Sequence, residues 1–229
     1  MQTSLTSKEL HNYLSSQIKH FIPDNIFVDG MIRDEDIQIS LDKCDNCFKH
    51  INNSLYSRIV GGGEIESIFS HLHADQYAQF LVYLANYIWN TRHDKIICDR
   101  IMYLNRILHS FMMSYKAKIP DIMLFGHPVG AVIGNADYSN YLYISQNCTI
   151  NTGSLAEDGS YTPKIGNYFF IGAGAVLIGN EPIGDNCSIG ANAMLYNTAL
   201  EDNSIVINNN GKIEIRKKIG ISAAARCFR

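Results

Sequence analysis

The sequence predicts a two-part α+β chain, with an N-terminal α-helical domain (residues 1–120), a parallel β-helix (121–210) and a basic C-terminal tail (211–229). Three observations support this division. The second half repeats a large aliphatic residue every six positions. The first half has apolar residues at helical spacing and little glycine, and Pro120 lies at the change between the two patterns.

Four helices are expected in the first half. Thr6-Ser7-Lys8-Glu9 has the spacing of a capping box, and the helix that it begins should end near His20, before Pro23. The apolar spacing predicts further helices over 34–51, 64–89 and 94–117. The glycine triplet at 61–63 can be a linker or a phosphate-binding turn. Because no Gly-Lys-Ser or Gly-Lys-Thr follows it, we interpret it as a linker.

Six large aliphatic residues recur at intervals of six in the second half: Ile165, Ile171, Leu177, Ile183, Ile189 and Leu195. This period predicts a parallel β-helix, in which three hexads form one triangular turn, called a coil here, and the aliphatic residues stack inside. Ile144 and Ile150 extend the repeat backward. Residues 151–164 interrupt it, so a loop is expected to leave the coil there, and projecting loops commonly carry function.

Composition excludes several classes of protein. The 229 residues carry a formal net charge of −3, so nucleic acid or an anionic membrane would meet no basic field. No apolar run reaches the roughly 20 residues of a membrane span, and the polar N-terminus lacks a signal-peptide core. We therefore expect a cytoplasmic protein.

The six cysteines are expected to be reduced. Cys148 and Cys187 lie at small-residue positions of the hexads and are interpreted as packing residues. Cys44 and Cys47 have no second pair and no evident histidine partner. Zinc or redox use is one interpretation of this pair and two cysteines on a helix is the other; the prediction includes no metal.

The order of motifs resembles the serine acetyltransferases, a family of hexapeptide-repeat acyltransferases. The resemblance begins at about residue 65 and includes the helical segment Leu72-His73-Ala74 with Tyr87-Ile88-Trp89-Asn90. It continues in the coil with His127-Pro128, Ile133-Gly134, Pro163-Lys164-Ile165-Gly166 and the run from Ile171 to Asn180. The ordered set is more specific than the hexads alone, which indicate only the superfamily.

The resemblance implies a left-handed β-helix, an exception to the usual right-handed crossover. It also implies a homotrimer, or a dimer of trimers, with acetyl-CoA as the acetyl donor in the cleft between neighbouring β-helices. Ala173 and Ala191, at matching corners of successive coils, would leave backbone groups open to the pantetheine arm. Lys212 would contact a CoA phosphate. Corner geometry alone explains the alanines equally well.

The chain departs from the family pattern at the acceptor site. The family's base is the histidine of an Asp-His pair, and the corresponding place here is Asp137-Tyr138. A second family histidine is replaced by Thr162, and an aspartate by Phe125. Because tyrosine has an ordinary pKa of about 10, it is a poor base at neutral pH. We expect Asp137 and Tyr138 to contact the acceptor and the base to come from elsewhere.

The histidine positions leave two places for that base. None of the eight histidines lies after His127, so the base must come from the helical region or the first coil. His71 and Asp75 are four apart and would share a helical face, and His73 lies where the family keeps a histidine. His127 begins the coil. The candidate catalytic residues are therefore His71, His73, Asp75 and His127.

These observations predict an acetyl-CoA-dependent acetyltransferase that transfers its acetyl group directly to a hydroxyl or amine. Because the family's Asp-His pair is missing, we expect a sugar or nucleotide-sugar acceptor of surface-polysaccharide synthesis. Serine O-acetylation for cysteine synthesis is the alternative. A non-catalytic trimeric scaffold is the second alternative.

Overall fold

A computed structural model describes residues 1–24, 30–151, 163–217 and 219–229 of the chain. Thr162 and most of the predicted projecting loop lie outside these ranges. The order of elements follows the two-part prediction, because four α-helices precede a long series of short parallel strands.

The helical region holds α1 to α4, which span Ser7–Phe21, Asp34–Lys49, Ala74–Arg92 and Lys95–His109. The predicted capping box is present, since the Thr6 hydroxyl accepts from the Glu9 backbone N–H and the Glu9 carboxylate accepts from the Thr6 backbone N–H at 2.8 Å. This contact satisfies two backbone donors at the start of α1, as expected for such a box.

Two helix boundaries predicted from the sequence are wrong. The segment predicted to begin α3 forms a strand instead; the three strands here are β1 (Gln2–Thr3), β2 (Ser57–Ile59) and β3 (Ile65–Phe69), with β3 in the centre. α4 ends at His109, because Ser110 adopts a left-handed φ of 52° and the chain then enters the coil.

A buried ion pair joins α2 to the end of α3. Asp36 is 1% exposed, and Arg92 donates to both of its carboxylate oxygens at 2.7 and 2.9 Å. Arg92 also donates to the Met31 carbonyl at 3.0 Å. Both carboxylate oxygens of Asp36 are therefore hydrogen-bonded to the Arg92 guanidinium.

Replacing Arg92 with methionine is expected to lower the free energy of unfolding by about 3–5 kcal/mol, because it leaves a buried carboxylate without its cation. Urea unfolding followed by circular dichroism measures this change. Arg106→Met, which removes an exposed arginine from α4, is the matched control and should cost less than about 1 kcal/mol. Equal effects of the two substitutions would contradict the argument.

The coil consists of the strands after α4. They are β4 (Met112–Met113), β5 (Met123–Gly126), β6 (Val132–Ile133), β7 (Asp137–Tyr138), β8 (Leu142–Ser145), β9 (Thr149–Ile150), β10 (Lys164–Ile165), β11 (Phe170–Ile171), β12 (Val176–Ile178), β13 (Ser188–Ile189), β14 (Met194–Tyr196), β15 (Ser204–Asn209) and β16 (Lys212–Lys217).

These strands form the three faces of a triangular coil. One face stacks β5, β8, β11, β13 and β15, and the second stacks β4, β6, β9, β12 and β14. The third contains β7 and β10, and isolated bridges extend it to Lys118, Ile183 and Leu200. All stacking within the coil between these strands is parallel; β16 alone adds antiparallel, as a hairpin on β15.

The predicted aliphatic ladder is confirmed. Ile165, Ile171, Leu177, Ile183, Ile189 and Leu195 are each at most 4% exposed. Ile171 pairs with Ile189 and Leu177 with Leu195, so one coil takes 18 residues, or three hexads. Ile150 pairs with Leu177 at a separation of 27, so the preceding coil contains nine residues more than three hexads (27 − 18 = 9).

The last residues of the chain return to the helical region. Phe228 forms an antiparallel bridge with Ile51, the Asn52 N–H donates to the Cys227 carbonyl at 2.8 Å, and the Arg229 N–H donates to the His50 carbonyl at 2.7 Å. Phe228 is buried against Tyr141 at the coil. The segment predicted as a basic tail therefore contains β16 and a docked end.

Cys44 and Cys47 lie on α2 and are fully buried, as in the simpler of the two interpretations. Burial raises the pKa of both thiols, and Cys47 contacts the Met123 carbonyl and the Gln79 amide. Across the described ranges, no three His, Cys, Asp or Glu side chains lie close enough together to hold a metal ion. None of the described helices is long and apolar enough to cross a membrane.

Candidate active site

Asp75 and His127 meet where the helical region joins the coil. The Nδ1 atom of His127 lies 3.1 Å from Oδ2 of Asp75, and the His127 backbone N–H donates to the same oxygen at 3.2 Å. Asp75 is 7% exposed, whereas the His127 side chain is 88% exposed. A buried carboxylate thus holds a histidine whose ring faces solvent.

Each side chain is positioned by a local feature of the backbone. Asp75 lies in the first turn of α3, where the helix dipole and the free backbone N–H groups favour a carboxylate. His127 follows β5 with a left-handed φ of 53° and precedes the buried Pro128. Gly126 allows this turn, because a Cβ there would collide with the Tyr143 hydroxyl.

The contact with Asp75 decides which nitrogen of His127 can act as a base. A carboxylate accepts hydrogen bonds, so the Nδ1–H of the neutral ring donates to Asp75 and Nε2 keeps its lone pair. The carboxylate also stabilises the imidazolium that forms when Nε2 takes a proton. The pair therefore has the geometry of a general base with its orienting group.

The predicted pairing of His71 with Asp75 on one helical face is wrong, because α3 begins at Ala74, after His71. The His71 ring instead contacts the Ser4 hydroxyl at 2.8 Å and the edge of Tyr13. His73 is the residue before α3; its Nδ1 atom is buried without a partner among the described residues, and its ring packs against Tyr56. Of the three candidate histidines, only His127 combines exposure with a carboxylate partner.

The two residues predicted to contact the acceptor have other partners. Asp137 forms an ion pair with Lys118 at 2.8 Å. Tyr138 is 2% exposed, and its hydroxyl donates to the Gly134 carbonyl at 2.9 Å. Its side chain therefore faces the interior of the coil, where it does not contact an acceptor bound outside. Phe125 is also buried and packs on Phe111.

A cavity of about 160 Å³ lies directly beside the Asp75–His127 pair. Its lining consists of Ala74, Asp75, Leu108, His109, Ser110, Pro128 and Val129. It therefore receives residues from the start of α3, the end of α4 and the turn that carries His127. His109 was not among the sequence-based candidates, because nothing in the periodicity separates it from the other helical histidines.

Burial lowers the pKa of His109 to about 4, so its imidazole is neutral at pH 7. Its Nδ1 atom lies 2.7 Å from Oδ1 of Asn105, and the Asn105 amide N–H donates to the Ala78 carbonyl at 3.1 Å. The orientation of this amide makes Nδ1 of His109 the protonated nitrogen and leaves Nε2 as an acceptor.

The depressed pKa of His109 makes stability fall in acid. The unfolded chain binds a proton on this residue below about pH 6.5 and the folded chain only below about 4, so the unfolding free energy should drop as pH falls between these values, by on the order of 3 kcal/mol. Urea unfolding of wild type and His109→Leu at pH 7 and pH 4.5 measures the difference. If the unfolding free energy of His109→Leu depended on pH as that of wild type does, the argument would be refuted. His20→Gln, at an exposed site, is the control and should keep the pH dependence of wild type.

Two of the predicted cofactor residues, Ala173 and Ala191, stack at one corner of the coil, and the third, Lys212, lies in the hairpin of β15 and β16. The Asn192 N–H donates to the Ala173 carbonyl at 2.9 Å, which stacks the corner of Ala191 on that of Ala173. The Asn208 amide donates to the Asn192 carbonyl at 2.8 Å, and Lys212 pairs with Asn209 in the same hairpin. Lys212 is exposed. The corner thus has short side chains, and the hairpin that contacts it through Asn208 also carries an exposed lysine.

Stacked coils of three hexads behind a helical region define a hexapeptide-repeat protein. Two curated relatives are serine acetyltransferases: the Haemophilus influenzae protein, 32% identical over 122 residues (52% of this chain, 44% of the relative), and the Synechococcus elongatus protein, 30% identical over 112 residues (48% and 46%). The chain thus spans about half the length of these relatives. No family model matches it.

The fold is shared with solved serine acetyltransferases. A serine acetyltransferase in complex with CoA superposes with a TM-score of 0.60 at 20% identity, over 79% of this chain and 75% of that protein. The chain is therefore serine acetyltransferase-like: a helical region followed by a left-handed β-helix.

Proposed function

We propose that the protein is an acetyl-CoA-dependent acetyltransferase in which His127 is the general base and Asp75 orients it. The observation that carries this proposal is the contact between the His127 Nδ1 and the buried Asp75 carboxylate, which leaves an exposed Nε2. The likeness to curated serine acetyltransferases and to a solved one bound to CoA supports the choice of donor.

The proposed reaction needs no covalent enzyme intermediate. The oxygen of the acceptor hydroxyl attacks the thioester carbonyl carbon while Nε2 of His127 takes the hydroxyl proton. The carbon–sulfur bond then breaks, and the imidazolium returns the proton to the leaving thiolate. The products are an acetyl ester and free CoA. General-base assistance of this kind contributes typically about 10²–10⁴ in rate.

Serine is the first acceptor that we propose, because the named relatives are serine acetyltransferases. This choice replaces the sugar or nucleotide-sugar that the missing Asp-His pair led us to expect, since the base lost from the coil has a counterpart in His127. We further propose a cytoplasmic homotrimer, or a dimer of trimers, with acetyl-CoA at the corner of Ala173 and Ala191 and a CoA phosphate near Lys212.

The test is acceptor-dependent release of CoA thiol from acetyl-CoA, measured with serine, amino sugars and nucleotide-sugars at equal concentration. Release with serine supports serine acetylation, and release with a sugar alone restores the first expectation. No release with any acceptor, together with no binding of CoA by calorimetry, would overturn the proposal in favour of a non-catalytic scaffold.

A further inference from the structure

The cavity beside Asp75 and His127 has a mostly apolar wall, which includes Ala74, Leu108, Pro128 and Val129. Its polar side chains are the carboxylate of Asp75, the neutral imidazole of His109 and the hydroxyl of Ser110. The first two are acceptors, and the Ser110 hydroxyl can accept as well as donate. A pocket with this lining favours a ligand that can donate hydrogen bonds.

Asp75 has capacity left after it has bound His127. Both contacts from His127 go to Oδ2, and Oδ1 has no partner among the residues that the structure describes. A carboxylate offers about four lone-pair positions on two oxygens. The free oxygen can therefore bind a donor that enters the cavity without disturbing the base.

His109 adds a second acceptor, which does not compete with Asp75 for protons. Its Nδ1–H is held by Asn105, so its remaining ring nitrogen, Nε2, carries the lone pair. Because the His109 ring is neutral at pH 7, it does not repel a cation that enters the cavity. The carboxylate of Asp75 attracts that cation. An ammonium group supplies three hydrogen-bond donors and a full positive charge. A hydroxyl supplies one donor and carries no charge.

We propose that this cavity binds the ammonium end of a small amino-alcohol acceptor, with Asp75 and His109 as its hydrogen-bond acceptors. The inference deepens the proposed function, on which its catalytic meaning rests. The volume of about 160 Å³ equals that of roughly five water molecules at 30 Å³ each, which admits an ethanolamine-sized ligand. The hydroxyl of such a ligand remains beside His127.

Calorimetric binding without acetyl-CoA tests the site directly. Ethanolamine and ethylene glycol are matched probes, because they differ only in the ammonium group. We expect ethanolamine to bind wild type at least 10-fold more tightly than ethylene glycol does. His109→Leu, which removes an acceptor, and Val129→Phe, which fills the cavity from an exposed position, should each weaken ethanolamine binding at least 10-fold.

Ile96→Phe, at an exposed position of α4 outside the cavity, is the control and should bind ethanolamine as wild type does. Equal binding of the two probes, or unchanged ethanolamine binding in Val129→Phe, would overturn the inference. If serine-dependent thiol release persists with an unchanged KM in both cavity variants, the subsite fails and the acetyltransferase stands. If the variants lose ethanolamine binding but wild type releases no thiol, the subsite stands and the acetyltransferase fails.

Discussion

Replacing His127 with asparagine is expected to lower kcat/KM for acetyl transfer by about 10²–10⁴, because the exposed Nε2 that takes the acceptor proton is lost. Asparagine tolerates the left-handed φ of 53° at this position, so the turn and the backbone N–H contact to Asp75 should remain. The measurement is acceptor-dependent thiol release with saturating acetyl-CoA. The loss should fall mainly on kcat, since the imidazole acts in the transition state.

The structure offers a matched control in His93. This residue also adopts a φ of 53°, at the end of α3, and its ring contacts the Trp89 carbonyl. His93→Asn therefore repeats the chemistry of the substitution in the same backbone conformation, at the opposite end of α3 from Asp75. An equal loss of rate in both variants, or full rate in His127→Asn, would remove His127 from the mechanism.

Replacing Gly134 with alanine is expected to destabilise the protein by about 3 kcal/mol or more, or to prevent folding. Gly134 is buried where two coils stack, and a Cβ there would lie 2.7 Å from the carbonyl carbon of Asn151 and from the carbonyl oxygen of Ile150. Both obstacles are backbone atoms of the next coil, which cannot rotate away as a side chain can.

Urea unfolding or the yield of folded protein measures this effect. Gly61→Ala is the control, because a Cβ at Gly61 meets nothing within 4 Å and the residue does not require a positive φ. The free energy of unfolding of that variant should lie within about 0.5 kcal/mol of the wild-type value. If Gly134→Ala were as stable as Gly61→Ala, the coils could not stack as closely as described.

The coil was predictable from the sequence because its signal is local and repeated. Each hexad places one aliphatic residue inside the coil. Six successive hexads with an aliphatic residue at this position therefore reveal the period without information about distant contacts. The strand β3 was not predictable in this way. Ile65, Ile68 and Phe69 fit helical spacing. They form a strand because they make a hairpin with β2 and also pair with β1, where the partners Gln2 and Ile68 lie 66 positions apart (68 − 2 = 66).

The active-site pair illustrates the same limit. Asp75 and His127 are 52 residues apart, and no spacing rule connects the start of a helix to the first turn of a coil. Sequence reasoning found both residues but joined Asp75 to the nearer His71. The contribution of His109 depends on burial and on the orientation of Asn105, neither of which has a sequence pattern.

The docking of Phe228 between Ile51 and Tyr141 adds a second contact between the helical region and the first coils, beside the packing of α3 on β5 and α4 on β4. A stack of repeats held only through neighbouring repeats can fray from its free end. Here the docked residues hold the first coils to the helical region, whereas β14 and β15 pair with the neighbouring repeats at β12 and β13. Heating should therefore melt the helical region and the first coils together, and fraying of the repeats should begin at β14 and β15.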